Sequence, residues 1–218
     1  KFIELLRALD AVEGIDRYRI SSIEPNLLTD EIIEFCASSK KFQHHFHIPI
    51  QSGSNKILGL MRRRYTAEKF AERIAAVRRW MPDAFIGIDV IVGFPGEGDE
   101  EFAETYRLLA DLKPAFLHIF PFSERPGTPA VELPNKVQAS VATRRAAELD
   151  ALCKTLHHDF CAAAVGEEDE VLFESTMRGG MMFGFTGNYR RVRVPYDRSR
   201  INAICRVKMV GMDDSGDL

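Results

Sequence analysis

The sequence is poor in cysteine, nearly devoid of tryptophan and free of long apolar runs. Its four cysteines, Cys36, Cys153, Cys161 and Cys205, are widely scattered over 218 residues. Such spacing excludes a disulfide framework and offers no short cysteine pair for a structural metal site. Cys36, Cys153 and Cys161 are expected as small apolar residues on helix faces, and no metal ligand is predicted among the four. No apolar stretch reaches membrane-spanning length, and Lys1 to Asp10 lacks a signal peptide's apolar core and cleavage site. The default expectation is therefore a cytoplasmic chain with no membrane partner. Neither sign of charge dominates, the net charge being −3. That balance by itself predicts no nucleic-acid partner, because a uniformly acidic surface repels phosphate.

Charge distribution is more informative than its sum. Between Val171 and Val210 eight basic residues face only Glu174 and Asp197, a window of +6 in an otherwise acidic chain. The hydrophobic pattern also changes along the chain. From residue 1 to about 133, helical spacing alternates with short β-rich runs at Tyr18 to Ile23, Phe46 to Ile50, Phe85 to Val92 and Phe116 to Phe122. Thr29 with Asp30 and Thr66 mark helix starts. Strands separated by helices imply right-handed parallel βαβ units, with a ligand site at the strand carboxyl ends. Glu24, Gln51, Gly93 and Ser123 fall there. No strand precedes the first helix, so the first strand should present an open edge. Pro129 and Pro134 mark a break, Val137 to Val165 reads as a long amphipathic helix, and short alternating β segments with glycine turns follow Gly166. The expected division is 1–133, a linker and helix over 134–165, and a small β domain over 166–218.

Several residues suit a binding site. Asp89 sits in the apolar run Ile88-Asp89-Val90-Ile91-Val92, where a carboxylate needs a partner such as a ribose diol. Gln51 can donate and accept, which suits ribose hydroxyls. One arginine of Arg62, Arg63 and Arg64 is suited to hold a carboxylate bidentately while the others face solvent or phosphate. Glu24, before Pro25, offers an acceptor at a strand-to-loop turn. His44, His45 and His47 invite a metal reading, but His47 faces opposite to Phe46 and Ile48 and no fourth ligand is in view, so core or hydrogen-bonding roles are expected. In the basic window Arg190, Arg191 and Arg193 are candidate phosphate contacts beside the aromatics Phe183, Phe185 and Tyr189. At least one of Phe183 and Phe185 is expected to fill a small core, since alternation sends residues two apart to one face.

Five segments, Ser22-Ile-Glu-Pro25, His47-Ile-Pro-Ile-Gln-Ser-Gly-Ser54, Met61-Arg-Arg-Arg-Tyr65, Asp89-Val-Ile-Val-Gly-Phe-Pro-Gly-Glu97 and Phe122-Ser-Glu-Arg-Pro-Gly-Thr-Pro-Ala130, occur together in this order. In that order they resemble the radical S-adenosylmethionine (SAM) methylthiotransferases of tRNA, above all the branch acting at C2 of threonylcarbamoyladenosine beside the anticodon. Gly184-Phe-Thr-Gly-Asn-Tyr-Arg-Arg-Val192 resembles the RNA-binding TRAM module. The resemblance implies an α/β fold, a partial parallel TIM-type barrel half built from its third to sixth strands, followed by a small antiparallel OB-like β-barrel. It implies S-adenosylmethionine contacts from Glu24, Gln51, Arg63 and Asp89, with Arg63 on the methionyl carboxylate and Gln51 and Asp89 near the ribose. It implies tRNA as partner, a sulfur donor, an electron donor, and two [4Fe-4S] clusters in the full-length enzyme. The family's CxxxCxxC triplet is absent here, so this polypeptide is expected to be a fragment that does not itself catalyse the reaction. Gly98 and Phe122 stand where the family usually has Thr and Tyr. Two rival readings are another radical SAM enzyme, such as a coproporphyrinogen oxidase relative, and a non-enzymatic RNA-binding protein.

Overall fold

The computed structural model describes residues 1–213 and 216–218. Its first unit alternates helices and parallel strands: α1 (Phe2–Asp10), β1 (Tyr18–Ile20), α2 (Asp30–Ser38), β2 (Phe42–His47), α3 (Asn55–Leu60), α4 (Ala67–Trp80), β3 (Phe85–Val92), α5 (Asp99–Leu112) and β4 (Phe116–Pro121). The two threonines start helices as their type dictates. Thr29 accepts from the Ile32 N–H and Thr66 from the Lys69 N–H, each satisfying a donor the first helical turn leaves unpaired. The strands pair in the order β1-β2-β3-β4, all parallel, with β1 at an open edge.

Each face of this sheet has its own composition. Phe46, Ile86, Ile88, Val90 and Val92 point into the main core with Phe70, Ile74 and Val77 of α4. Five of these side chains in β2 and β3 have no exposed area, and burying one such side chain contributes about 1.5–3 kcal/mol. Period-two alternation sends Phe85, Gly87, Asp89 and Ile91 to the opposite face. That face is covered at its amino end by Phe160 and Tyr189, both packed edge-on to Phe85.

The long α6 (Ala139–Ala162) packs on β4 and contributes Leu149, Cys153 and Leu156 to the main core. The segment over 134–165 is therefore not a free linker. A second sheet follows, with β5 (Glu168–Arg178), β6 (Met181–Thr186), β7 (Arg191–Pro195) and β8 (Ile204–Lys208) in the antiparallel order β7-β6-β5-β8. The β5–β6 register shifts between Phe173 and Met177, curling the sheet. The final residue covers the β7 edge: its N–H donates to the Arg191 carbonyl and its carbonyl accepts from the Arg193 N–H. Among the described residues the strand pairings form an open four-stranded sheet and give no barrel closure.

Its small core draws on Val171, Phe173, Met182 and Val192. In β6 it is Met182, Gly184 and Thr186 that are buried, so both Phe183 and Phe185 lie on the other face. The expectation that at least one of these aromatics fills the core fails because the strand has the opposite parity. Phe185 stacks on Tyr189 and Phe183 lies under the Arg191 guanidinium. Tyr189 in turn packs on His45 and Phe85 and carries the Arg19 guanidinium. This joint between the two units is fixed further by hydrogen bonds from Arg17 to the Glu170 and Phe185 carbonyls and from Asn188 to the Asp83 carbonyl.

Candidate functional site

The strand carboxyl ends form a cleft of about 480 Å³ whose lining includes Gln51, Asp89, Ile91, Phe120 and Ser123. A smaller one of about 270 Å³, reaching Arg63 and Phe94, shares Ile91 and Thr128 with it. Gln51 and Asp89 thus line one cleft. Gln51 has φ 70, an uncommon conformation for a residue with a side chain. Its backbone continues the β2–β3 pairing nonetheless: its N–H donates to the Asp89 carbonyl at 2.9 Å and its carbonyl accepts from Ile91 at 2.8 Å.

The loop after Gln51 is held from two sides. The Tyr65 hydroxyl donates to the Pro49 and Ile50 carbonyls at 3.0 and 3.2 Å, and burial pushes its pKa up to about 12. Thr105 Oγ accepts from the Gly53 N–H at 2.9 Å. A Cβ at Gly53 would lie 2.6 Å from the Thr105 Cα, so Gly53 permits a helix to approach the loop. Tyr65, in the Arg-Arg-Arg-Tyr run, is therefore a packing residue.

The loop after β3 is clamped by a buried ion pair. Arg145 of α6 contacts the Glu97 carboxylate at 2.7 Å, with side chains 3% and 1% exposed, and reaches Asp99 at 2.9 Å. The same Glu97 oxygen accepts from the Gly93 N–H at 2.9 Å. Burial pushes the Glu97 carboxyl up, opposed by the Gly93 N–H and by Arg145. A Cβ at Gly93 would meet the Ala142 Cβ at 2.6 Å. Sequence reasoning missed Arg145, which is nearly fifty residues from its partner.

Arg63 and Glu24 come together as an ion pair of 2.9 Å. The guanidinium retains further donors, but Glu24 is its partner here, and Glu24 lines a different depression beside α1. Asp89 also has a partner: His47 Nε2 lies 2.6 Å from its Oδ1. His118 of β4, register partner of Asp89, stacks on His47 with ring centroids 4.8 Å apart. Burial lowers the His118 pKa. His118 was the second residue invisible to sequence reasoning, since only strand register brings it to Asp89.

Of the three histidines singled out in sequence, His44 pairs with Asp83 at 2.9 Å. His45 is buried between Phe85 and Tyr189, and burial pushes its pKa down to about 4.

The three candidate arginines of the basic window, Arg190, Arg191 and Arg193, are all engaged. Arg190 is buried, donates to the Phe160 carbonyl and stacks on its ring. This corrects the expectation that it contacts phosphate, because its head group is inside the joint. Arg191 and Arg193 are half exposed and paired with Asp217 and Asp213 at 3.0 Å each.

The donor set bears differently on the two cofactors the resemblance implies. A carboxylate with one oxygen on His47 and a carboxamide in one cleft, with Arg63 in the depression beside it, fit a nucleoside with a charged tail. The cysteines do not fit an iron–sulfur cluster. Cys36 and Cys161 are buried and their thiols pushed up to about 12 and about 11, and among the described residues no cysteine joins a group able to hold a metal.

Comparisons with known proteins point to one superfamily. The radical SAM superfamily model matches residues 1–109. Threonylcarbamoyladenosine tRNA methylthiotransferase of Bacillus subtilis is 42% identical over 96% of this chain and 48% of its own length. The tRNA-2-methylthio-N(6)-dimethylallyladenosine synthase of Thermobifida fusca is 43% identical over 78% of this chain and 35% of its own. The chain thus spans about half or less of the length of these curated relatives. Among solved structures, coproporphyrinogen III oxidase of Escherichia coli, a radical SAM enzyme, superposes with a TM-score of 0.53 at 13% identity, covering 88% of this chain and 52% of that one. That likeness speaks to the fold alone. No helix among the described residues is long and apolar enough to cross a membrane.

Proposed function

The chain belongs to the radical SAM superfamily, and on that premise we propose that it forms the SAM-binding cleft and the RNA-facing β unit of a tRNA methylthiotransferase acting at C2 of threonylcarbamoyladenosine. The superfamily carries SAM and a [4Fe-4S] cluster, and in the reading proposed here the ligands of that cluster, and of a second one, are supplied outside this chain. SAM held here would supply radical chemistry on one-electron reduction by the cluster. The residues of this chain bind and orient. Gln51 and Asp89 engage the ribose, and Arg63, oriented by Glu24, takes the methionyl carboxylate. The clamp of Arg145 on Glu97 holds the loop from Gly93 to Glu97 against the cleft. The proposed division is 1–133 for the partial barrel, 134–165 for the connecting helix that packs on it, and 166–218 for an OB-like TRAM unit binding tRNA.

One observation carries the reading: Gln51 and Asp89 line one cleft at the carboxyl ends of parallel strands, inside the stretch that matches the superfamily. The 42% identity over 96% of this chain to a threonylcarbamoyladenosine methylthiotransferase, against 43% over 78% for the dimethylallyladenosine enzyme, supports the substrate branch. The test is a chimaera in which this chain replaces the matching half of the Bacillus subtilis relative, with tRNA nucleosides read by mass spectrometry. Methylthiolated threonylcarbamoyladenosine is expected from the chimaera and not from its Asp89→Asn variant. Methylthiolation of dimethylallyladenosine instead would move the assignment to the other branch, and an active Asp89→Asn variant would remove Asp89 from the cofactor.

SAM binding by the isolated chain is expected to be weak, because only hydrogen bonds and one ion pair remain to it. Titration calorimetry at micromolar protein should give little heat, and a large saturable heat would contradict this assignment of anchors.

A further inference from the structure

Next to the cleft, which Asp89 lines, three neighbouring strands each present one metal-ligating side chain. His47 comes from the end of β2, Asp89 from β3 and His118 from β4. Their ligand atoms all lie within 4.8 Å of one another, the one such group among the described residues. The side chains of His47 and Asp89 are about one quarter exposed, so they are neither solvated surface nor sealed core. The same sheet face carries Phe85, Gly87, Ile91, Phe116 and Phe120, and His45 packed on Phe85.

A hydrogen bond between His47 and Asp89 accounts for two of the three residues. It leaves His118 unexplained. Among the described residues the His118 side chain makes ring contacts with His47 and Phe116 but no hydrogen bond. An imidazole stacked on another imidazole, with an anionic oxygen beside both, is an arrangement that a shared cation satisfies.

We propose that His47, Asp89 and His118 form a binding site for a divalent first-row transition ion such as Zn²⁺ or Fe²⁺, with its remaining coordination positions open to the cleft. Two imidazoles and one carboxylate are the donor set such ions prefer, whereas Mg²⁺ and Ca²⁺ call for oxygen donors. Ligands about 2.1 Å from a tetrahedral ion lie about 3.4 Å apart. The 2.6 Å between His47 and Asp89 must therefore widen by under about 1 Å, and the remaining separations, within 4.8 Å, close by at most about 1.4 Å to reach that spacing. The ladder pairing of β3 with both neighbours fixes the three Cα positions, which preorganises the site. Asp89 Oδ1, the oxygen beside His47, turns to the ion, which leaves Oδ2 for the ribose contact proposed above.

The test is titration of the purified chain with Co²⁺ and with Zn²⁺ alone, with no SAM present. The proposal and the cofactor reading then fail separately, since absence of ion binding says nothing of SAM. The expected result is 1:1 binding, visible Co²⁺ bands without a thiolate charge-transfer band, and no displacement by excess Mg²⁺. Asp89→Asn and His118→Gln should each weaken binding by at least about 100-fold, beyond the 10- to 100-fold typical of outer-shell changes. Paramagnetic Co²⁺ should broaden backbone amide signals around His47, Asp89 and His118 in the wild-type chain, which localises the ion even if a variant does not fold. No binding, a thiolate band, displacement by Mg²⁺, unchanged affinity in the variants, or broadening centred elsewhere would each overturn the proposal.

Discussion

The parallel and antiparallel sheets place their ionisable groups differently. The parallel unit has exposed local pairs such as Lys69 on Glu72, but it also draws groups inward to partners distant in sequence, as with Arg145 on Glu97 and His47 on Asp89. In the antiparallel unit the arginines sit at the rim, as with Arg191 on Asp217, or are drawn into the joint, as with Arg190 on Phe160. A parallel sheet buried by helices forces any retained charge to find an internal partner. An open antiparallel sheet leaves one face to solvent, where pairing is optional and weak. Internal charge shapes a cleft, and rim charge tunes a surface.

The sharpest way to break that comparison is to remove one arginine from each unit. Arg145→Met leaves Glu97 buried without its partner and should cost about 3–5 kcal/mol, read as a lower midpoint in urea unfolding. Arg191→Met, its counterpart at the rim, should cost under about 1 kcal/mol. Equal losses would sink the distinction.

Gly93→Ala tests the same clamp without touching charge. At φ 78, with the Ala142 Cβ in its way, the substitution should cost about 1–3 kcal/mol. An unchanged melting temperature would show that the loop yields freely.

The joint supplies a pH test. Unfolded His45 takes up a proton near pH 6.5, the folded residue only near 4. Between these values the unfolded chain binds more protons, so stability falls as pH drops through that window, by about 1–2 kcal/mol from pH 7 to 5. His44, raised by Asp83, has the opposite sign. The contribution of His45 is therefore read as the difference between wild type and His45→Phe in thermal melts at each pH. Parallel pH profiles for the two proteins would refute it.

The smallest effect is expected at the rim of the antiparallel unit. Arg191→Ala with Arg193→Ala should lower the salt dependence of tRNA binding by at most about two phosphate contacts, since both arginines already have carboxylate partners. Arg190→Ala should act through the joint, lowering stability without altering the salt slope. A salt slope unchanged in the double variant would put the RNA surface elsewhere, with Arg62 and Arg64 beside the cleft next to be tested.

What could be read in sequence follows the range of the forces involved. Thr29 and Thr66 cap helices, Phe85 to Val92 forms a strand, and Asp89 stands out, because caps, alternation and a lone carboxylate in an apolar run are local signals. β2 was displaced, observed at Phe42–His47 where Phe46 to Ile50 was expected. Ile48 and Ile50 do continue the pairing, by backbone bonds to Gly87 and Asp89, but Pro49, lacking an N–H, interrupts the ladder.

The sequence by itself determined the order of helices and strands, the change of architecture after Gly166 and the carboxyl-end location of Gln51 and Asp89. Only the tertiary structure decided the partners. Strand register set His118 beside Asp89, strand parity turned Phe183 and Phe185 away from the small core, and the docking of α6 brought Arg145 to Glu97. The joint closed over Arg190 and His45, so that residues with a surface composition became interior ones. Propensity and periodicity act over a turn or a strand, whereas these pairings join residues tens of positions apart, and geometry alone chooses among the many partners of matching chemistry.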